Sequence, residues 1–107
     1  MTFIELKDSL SGYNDSDIKK AFSYLYETER SATSARLKKA GCKDELWVGE
    51  VFTKALYALR KSFFENKFKG DNKKAISAFI KQVCFFQWGK HKANPMHKQI
   101  KAGKTRD

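Results

Sequence analysis

The sequence predicts an all-α protein, a compact bundle of three to five helices. Two observations carry that prediction. Apolar residues recur at spacings of three and four along three long stretches, and no stretch sustains the alternation of a half-buried strand. A chain of 107 residues also has about the size of one ordinary domain, with 41% apolar and 14% aromatic residues to build its core.

The elements follow in chain order. Near the start, Phe3, Ile4 and Leu6 form a short apolar segment, and "SGYNDSD" then supplies turn and capping residues. The first long helix begins near Asp15 or Ser16 and runs to about Ala40. Ile18, Ala21, Phe22, Leu25, Thr28, Ala32 and Ala35 mark its inner face, while Lys19, Lys20, Glu27 and Arg30 fall elsewhere. Gly41 has the position of a helix C-terminal glycine. Asp44 then caps a second helix over about 44–62, whose apolar face is Val48, Phe52, Ala55, Leu56, Leu59 and Phe63.

Gly70, Asp71 and Asn72 break the chain next, although Phe64 and Phe68 are too apolar for an ordinary solvated loop. A third long helix is expected over about 72–88, with Ala75, Ile76, Phe79, Ile80 and Val83 facing inward and Gly89 as its stop. One helical domain therefore covers residues 1–92. Residues 93–107, with Pro95, read as a basic tail or the start of a linker.

Charge is distributed unevenly. Residues 1–53 carry eight Lys/Arg against nine Asp/Glu, and residues 54–107 carry fourteen against three, so the net charge of +10 arises in the second half. That polarity suits a polyanionic partner, most often nucleic acid, because each lysine placed on a phosphate releases a condensed counterion. A solvated basic surface is the plainer reading of the same residues.

No apolar run approaches the ~20 residues of a membrane-spanning helix, and the N-terminus lacks the pattern of a secretory signal. A cytoplasmic location with no membrane partner is expected. Cys42 and Cys84, with His91 and His97, complete neither a zinc site nor a disulfide framework. Both thiols are expected to be reduced, with Cys84 buried, and no metal or cofactor is implied.

The stretch "KQVCFFQWGKHK", residues 81–92, sets rings among lysines. On a helical wheel centred on Ile76, Phe86 lies about 80° away at the edge of the core, and Phe85 about 180° away. Lys74, Lys81, Phe85 and Trp88 then share an outward face, which Lys92 joins if the helix continues past Gly89. Rings alternating with ammonium groups can stack unpaired bases and track phosphates. The same spacing also suits a helix packed on two sides, with Phe85 and Trp88 in contact with neighbours.

An enzyme is not expected. There is no Gly-rich phosphate loop, and Asp44 with Glu45 is explained by helix capping and the helix dipole. Cys84 and His91 lie two helical turns apart, about 10 Å along the axis, too far for a nucleophile and its base.

The order of segments resembles region two of bacterial RNA polymerase sigma factors, of the extracytoplasmic-function class. A helix with Phe22, Leu25 and Tyr26 is followed by "DELWVGEVFTKALYALRK" and then by "FKGDNKKAISAFIKQVCFFQWGKHK". Glu45, Glu50, Val51 and Phe52 match the family's second helix. Phe68, Gly70, Phe79, Ile80, Val83, Trp88, Lys90 and Lys92 match its later segment. At Leu46, Gly49, Phe85 and Phe86 the chain departs from the residues usual in that family, namely Asp, Gln, Arg and Asn.

The resemblance implies a transcription-initiation module that binds the RNA polymerase core and holds melted upstream promoter DNA. Its polymerase-binding residues would be Glu45, Trp47, Glu50, Val51 and Lys54. Its DNA-binding residues would be Phe64, Phe68, Lys69, Lys73, Lys74, Lys81, Phe85, Trp88, Lys90 and Lys92. Complete members of the class carry a further DNA-reading domain, for which these 107 residues leave no room. If the chain is complete, a DNA-targeting or regulatory protein is an additional expected partner; if it is a fragment, the tail from Ala93 onward is the start of the interdomain linker. The alternative is a small basic interaction factor, of phage or mobile-element type, that binds an acidic protein.

Overall fold

The computed structural model describes residues 1–93 and is an all-α bundle of four helices. They are α1 (Phe3–Ser11), α2 (Asp15–Lys39), α3 (Glu45–Phe64) and α4 (Lys73–Ala93). Beyond Ala93, the basic tail, including Pro95 and His97, lies outside the described residues.

Each helix starts on a side chain that accepts an otherwise unsatisfied amide. Asn14 accepts from the Asp17 N–H at 3.0 Å, Asp44 from Trp47 at 3.1 Å and Asn72 from Ala75 at 2.9 Å. The short apolar segment near the N-terminus is itself a helix. A reciprocal capping box initiates it: the Thr2 hydroxyl accepts from the Glu5 N–H, and the Glu5 carboxylate accepts from the Thr2 N–H. Hydrogen bonding to the Glu5 carboxylate, first from the Thr2 N–H and then from the Thr2 hydroxyl, holds that carboxyl below its usual pKa, and α1 places Leu6 and Leu10 in the core.

The end of α2 explains Gly41. Its amide donates to the Lys38 carbonyl at 3.0 Å and the Cys42 amide to Leu37 at 2.9 Å, a closure that needs the positive φ of 104° found at Gly41. Gly70 serves close approach as well as conformation. Its φ is 139°, and a Cβ there would come within 2.4 Å of the Ala75 Cβ and 3.2 Å of the Phe68 ring.

α3 is the central helix and contacts each of the other three. Val48, Phe52, Ala55, Leu56, Leu59 and Phe63 are buried as their spacing predicts, and Val51 is buried with them. On α2 the inner face differs from the expectation. Ala21 and Leu25 are buried, but Thr28, Ala32 and Ala35 face solvent, and Thr33 and Leu37 are buried instead. The inward line follows successive steps of four residues, a row inclined to the helix axis, as happens when one helix crosses its neighbours at an angle.

The same effect reorganises α4. Ile76, Ile80 and Cys84 are buried, and the four-residue step leads next to Trp88, which is half-buried. α4 packs against α3 on one flank and α2 on the other. It also continues through Gly89 to Ala93, so Gly89 is not the stop that the sequence suggested. Nothing crowds the Gly89 Cβ position, and side chains on either side of it hold the last turns in place.

Candidate functional site

Phe85 and Trp88 do not form an outward stacking face, and this corrects the expectation from the wheel. Phe85 is half-buried against α2, with the Arg36 guanidinium 5.4 Å from its ring centroid. Trp88 is half-buried between α2 and α3. Its indole N–H donates to the Ala40 carbonyl at 3.3 Å, and its ring meets Trp47 at 5.3 Å and stacks on His91 at 5.7 Å. The cause is the inclined contact row of α4, which turns this flank toward α2.

The ring that does face solvent is Phe86. It is 65% exposed rather than at the core edge, and the Lys90 ammonium stands 5.3 Å from its centroid. Lys90 and Lys92 are themselves exposed, with Lys92 5.7 Å from the Trp88 ring.

Between α3 and α4, Phe68 is a core pin rather than a ligand-facing ring. It packs 4.5 Å from Phe63, 5.7 Å from Phe79 and 6.2 Å from Phe3, which accounts for an aromatic residue in this polar loop. Phe64 is exposed at the end of α3, edge-on to Tyr13 at 5.3 Å and beneath Arg60. Lys69 and Lys74 are exposed. Lys73 is tied inward, donating to the Met1 carbonyl at 3.1 Å and the Tyr24 hydroxyl at 3.0 Å. Lys81 is half-buried and donates to the Ser77 hydroxyl at 3.1 Å.

The residues expected to meet polymerase separate into two groups. Glu45, Glu50 and Lys54 are exposed on α3, with Glu45 paired to Lys38 at 2.6 Å. Val51 is buried, 3% exposed, because it lies on the side of α3 that α4 covers, so it cannot meet a partner directly. Trp47 is half-buried for the same reason, held 5.3 Å from Trp88 and 5.0 Å from His91.

Four side chains without a site role in the sequence prove to be exposed beside the candidate faces. Leu46 is 83% exposed and Tyr57 61% exposed; with Glu50 and Thr53 they follow steps of four, three and four along the outer face of α3. Their spacing is a second helical stripe, hidden behind the stronger one that builds the core. Phe86 and Arg36 had no usable signal, because their placement depends on how α2 crosses α4.

Arg36 brings a basic groove together. Arg36, Lys74, Lys81, Gln82 and Phe85 line a hollow of about 540 Å³ between α2 and α4. A smaller one, about 260 Å³, lies between α3 and α4, where Trp47, Glu50 and Lys54 face Lys90 and His91. Lys90, assigned to DNA, thus borders the residues assigned to polymerase.

Two further features bear on chemistry. Burial raises the Cys84 thiol to about 11, which keeps it neutral and unreactive at ordinary pH. Among the described residues, no cluster of His, Cys, Asp and Glu could hold a metal ion, and no helix is long and apolar enough to cross a membrane. No protein-family model, curated protein or solved structure matches the chain.

Proposed function

We propose that the chain is a non-enzymatic transcription-initiation module of the sigma-factor region-two type, which binds the RNA polymerase core and holds melted upstream promoter DNA. The observation that carries this reading is a pair of adjoining exposed faces, which meet where Lys90 borders Glu50 and Lys54. The outer face of α3 presents Leu46, Glu50, Lys54 and Tyr57 to solvent, while the inter-helix loop and α4 present Lys69, Lys74, Lys90 and Lys92.

The α3 stripe suits a helical partner. Apolar residues flank carboxylate and ammonium groups at helical spacing, and exposed leucine and tyrosine at such a position supply contact area. Val51 and Trp47 support that face from beneath.

DNA is held in this reading by lysine–phosphate contacts and by one exposed ring, Phe86. A base that leaves the duplex costs a few kcal/mol, which a ring stack and phosphate contacts offset. Lys90 beside Phe86 supplies the nearest ammonium for the adjoining phosphate.

A fluorescent base analogue, 2-aminopurine, placed in the upstream promoter element tests this. Emission should rise when the chain and core polymerase are added together, and the rise should be reduced by Phe86→Ala and by joint Lys74→Ala and Lys90→Ala substitution. No rise, or a rise indifferent to these substitutions, would contradict the DNA half of the proposal.

One observation favours a second reading, an interaction factor for an acidic protein. Phe64, Phe85, Phe86 and Trp88 each have a cation of the chain within about 6 Å of the ring. Their faces are therefore partly occupied, and the basic surface could serve a carboxylate-rich partner without any base stacking. Recovery of such a protein from a bacterial lysate without polymerase subunits would select it.

A further inference from the structure

The groove between α2 and α4 gathers three cations with one carboxylate, Glu29, nearby. Arg36 enters it from α2, and Lys74 and Lys81 enter from α4. The ion pairs found among the described residues join Lys38 to Glu45 and Lys67 to Glu65, and so involve none of these three. Glu29 of α2 accepts at 2.6 Å from the Ser77 hydroxyl, which itself accepts from the Lys81 ammonium at 3.1 Å. This carboxylate offsets part of the Lys81 charge, so among the described residues the uncompensated cations of the groove are Arg36 and Lys74.

The groups are also arranged for one kind of anion. The Arg36 guanidinium rests on the Phe85 ring, which restricts a long side chain while leaving the edges of its planar fork free for paired oxygens. Lys81 is fixed by its hydrogen bond, Lys74 is exposed, and Gln82 adds an amide. A fork flanked by ammonium groups and an amide matches the several oxygens of a phosphate better than the two of a carboxylate.

We infer that this groove is a phosphate-binding site, with Arg36 as its bidentate anchor and Lys74 and Lys81 as flanking charges. The phosphates of a single nucleic-acid strand and those of a free polyphosphate share this chemistry. A strand as the source rests on the proposed function; recognition of phosphate by the groove does not. The site uses a residue of α2 that the loop-and-α4 surface of the preceding proposal lacks.

NMR titration of the isotope-labelled chain, without polymerase, tests the inference. The probes are hexathymidylate and inorganic pyrophosphate, and the proteins are the unsubstituted chain, Arg36→Ala, Lys81→Gln and a control, Lys20→Ala, which removes one charge from α2 elsewhere. The Ser77 and Gln82 amides should shift on titration, and Arg36→Ala should weaken binding about tenfold, as loss of a charged hydrogen-bonding partner does. Lys20→Ala should change it less than twofold. Contact with three phosphates further predicts about 20-fold weaker strand binding at 200 mM than at 50 mM salt.

Displacement of hexathymidylate by equimolar pyrophosphate would assign the site to a free polyphosphate, and persistence of the strand would assign it to nucleic acid; either supports phosphate recognition. Equal losses in Arg36→Ala and Lys20→Ala, or no shift at the groove with either probe, would overturn it. Arg36 is exposed, so its replacement leaves the fold intact, which circular dichroism verifies. Groove binding that survives while polymerase binding fails would separate this inference from the proposed function.

Discussion

Trp47 of α3 meets Trp88 of α4 with ring centroids 5.3 Å apart and planes inclined at 60°, and His91 lies against both rings. The sequence places these two indoles on separate surfaces, one for each partner. In the fold they form one wall that fixes the last turns of α4 to the start of α3.

That wall is structural, so its removal should be read first in stability. Trp88→Ala leaves Trp47 without its edge-on partner and the Ala40 carbonyl without a donor. A loss of about 2 to 3 kcal/mol is expected, below the range for a fully buried tryptophan because Trp88 is only partly buried. In a double-substitution cycle with Trp47→Ala, the coupling should be about 0.5 to 1.5 kcal/mol. Urea unfolding measures both; additive losses would show that the rings act independently.

Phe85 and Phe86 should behave oppositely. Phe85 packs against the core, so Phe85→Ala should cost about 2 kcal/mol of stability. Phe86 projects into solvent, so Phe86→Ala should leave stability within about 0.5 kcal/mol while removing a stack worth about 1 to 3 kcal/mol per base. Denaturation curves and single-strand titrations of the two variants give the comparison, and a stable Phe85→Ala with an unstable Phe86→Ala would refute this arrangement.

Cys84 makes stability depend on alkaline pH. Its folded pKa, about 11, lies above the ordinary thiol value of 9.0 because burial disfavours the thiolate. Between those values the folded chain retains a proton that the unfolded chain releases, so this contribution is complete below pH 9 and is lost as pH rises through about 11. Urea midpoints at pH 8 and pH 11 should fall further apart in the unsubstituted chain than in Cys84→Ala, which removes this group and leaves the rest of the chain the same in both. Equal falls would exclude the effect.

The α3 part of the core was legible in the sequence, whereas the inner face of α2 and the surface were not. The α3 face could be read because one neighbour-rich stripe carries six apolar residues in regular spacing, and the Gly41 closure and the Asp44 cap follow from local backbone requirements. α1 had a local signal too, in Thr2 and Glu5, the Thr-x-x-Glu pattern of a capping box. By contrast, the partition of Phe85, Phe86 and Trp88 depends on the crossing of α2 and α4, which no local pattern encodes. A wheel centred on Ile76 assigns one buried side, whereas α4 uses two flanks. The same crossing brings Arg36 to Lys81, residues 45 positions apart, into a site that neither segment announces.

Equilibrium titration of purified RNA polymerase core with the fluorescently labelled chain tests the central claim most directly. The account predicts saturable binding that Leu46→Glu weakens at least about tenfold, as expected when a carboxylate replaces an apolar contact and must lose its water on binding, with Arg36→Ala leaving it unchanged. Leu46 is so exposed that its replacement does not disturb folding. Absence of saturable binding, or binding indifferent to Leu46→Glu, would contradict the assignment of the α3 face to polymerase.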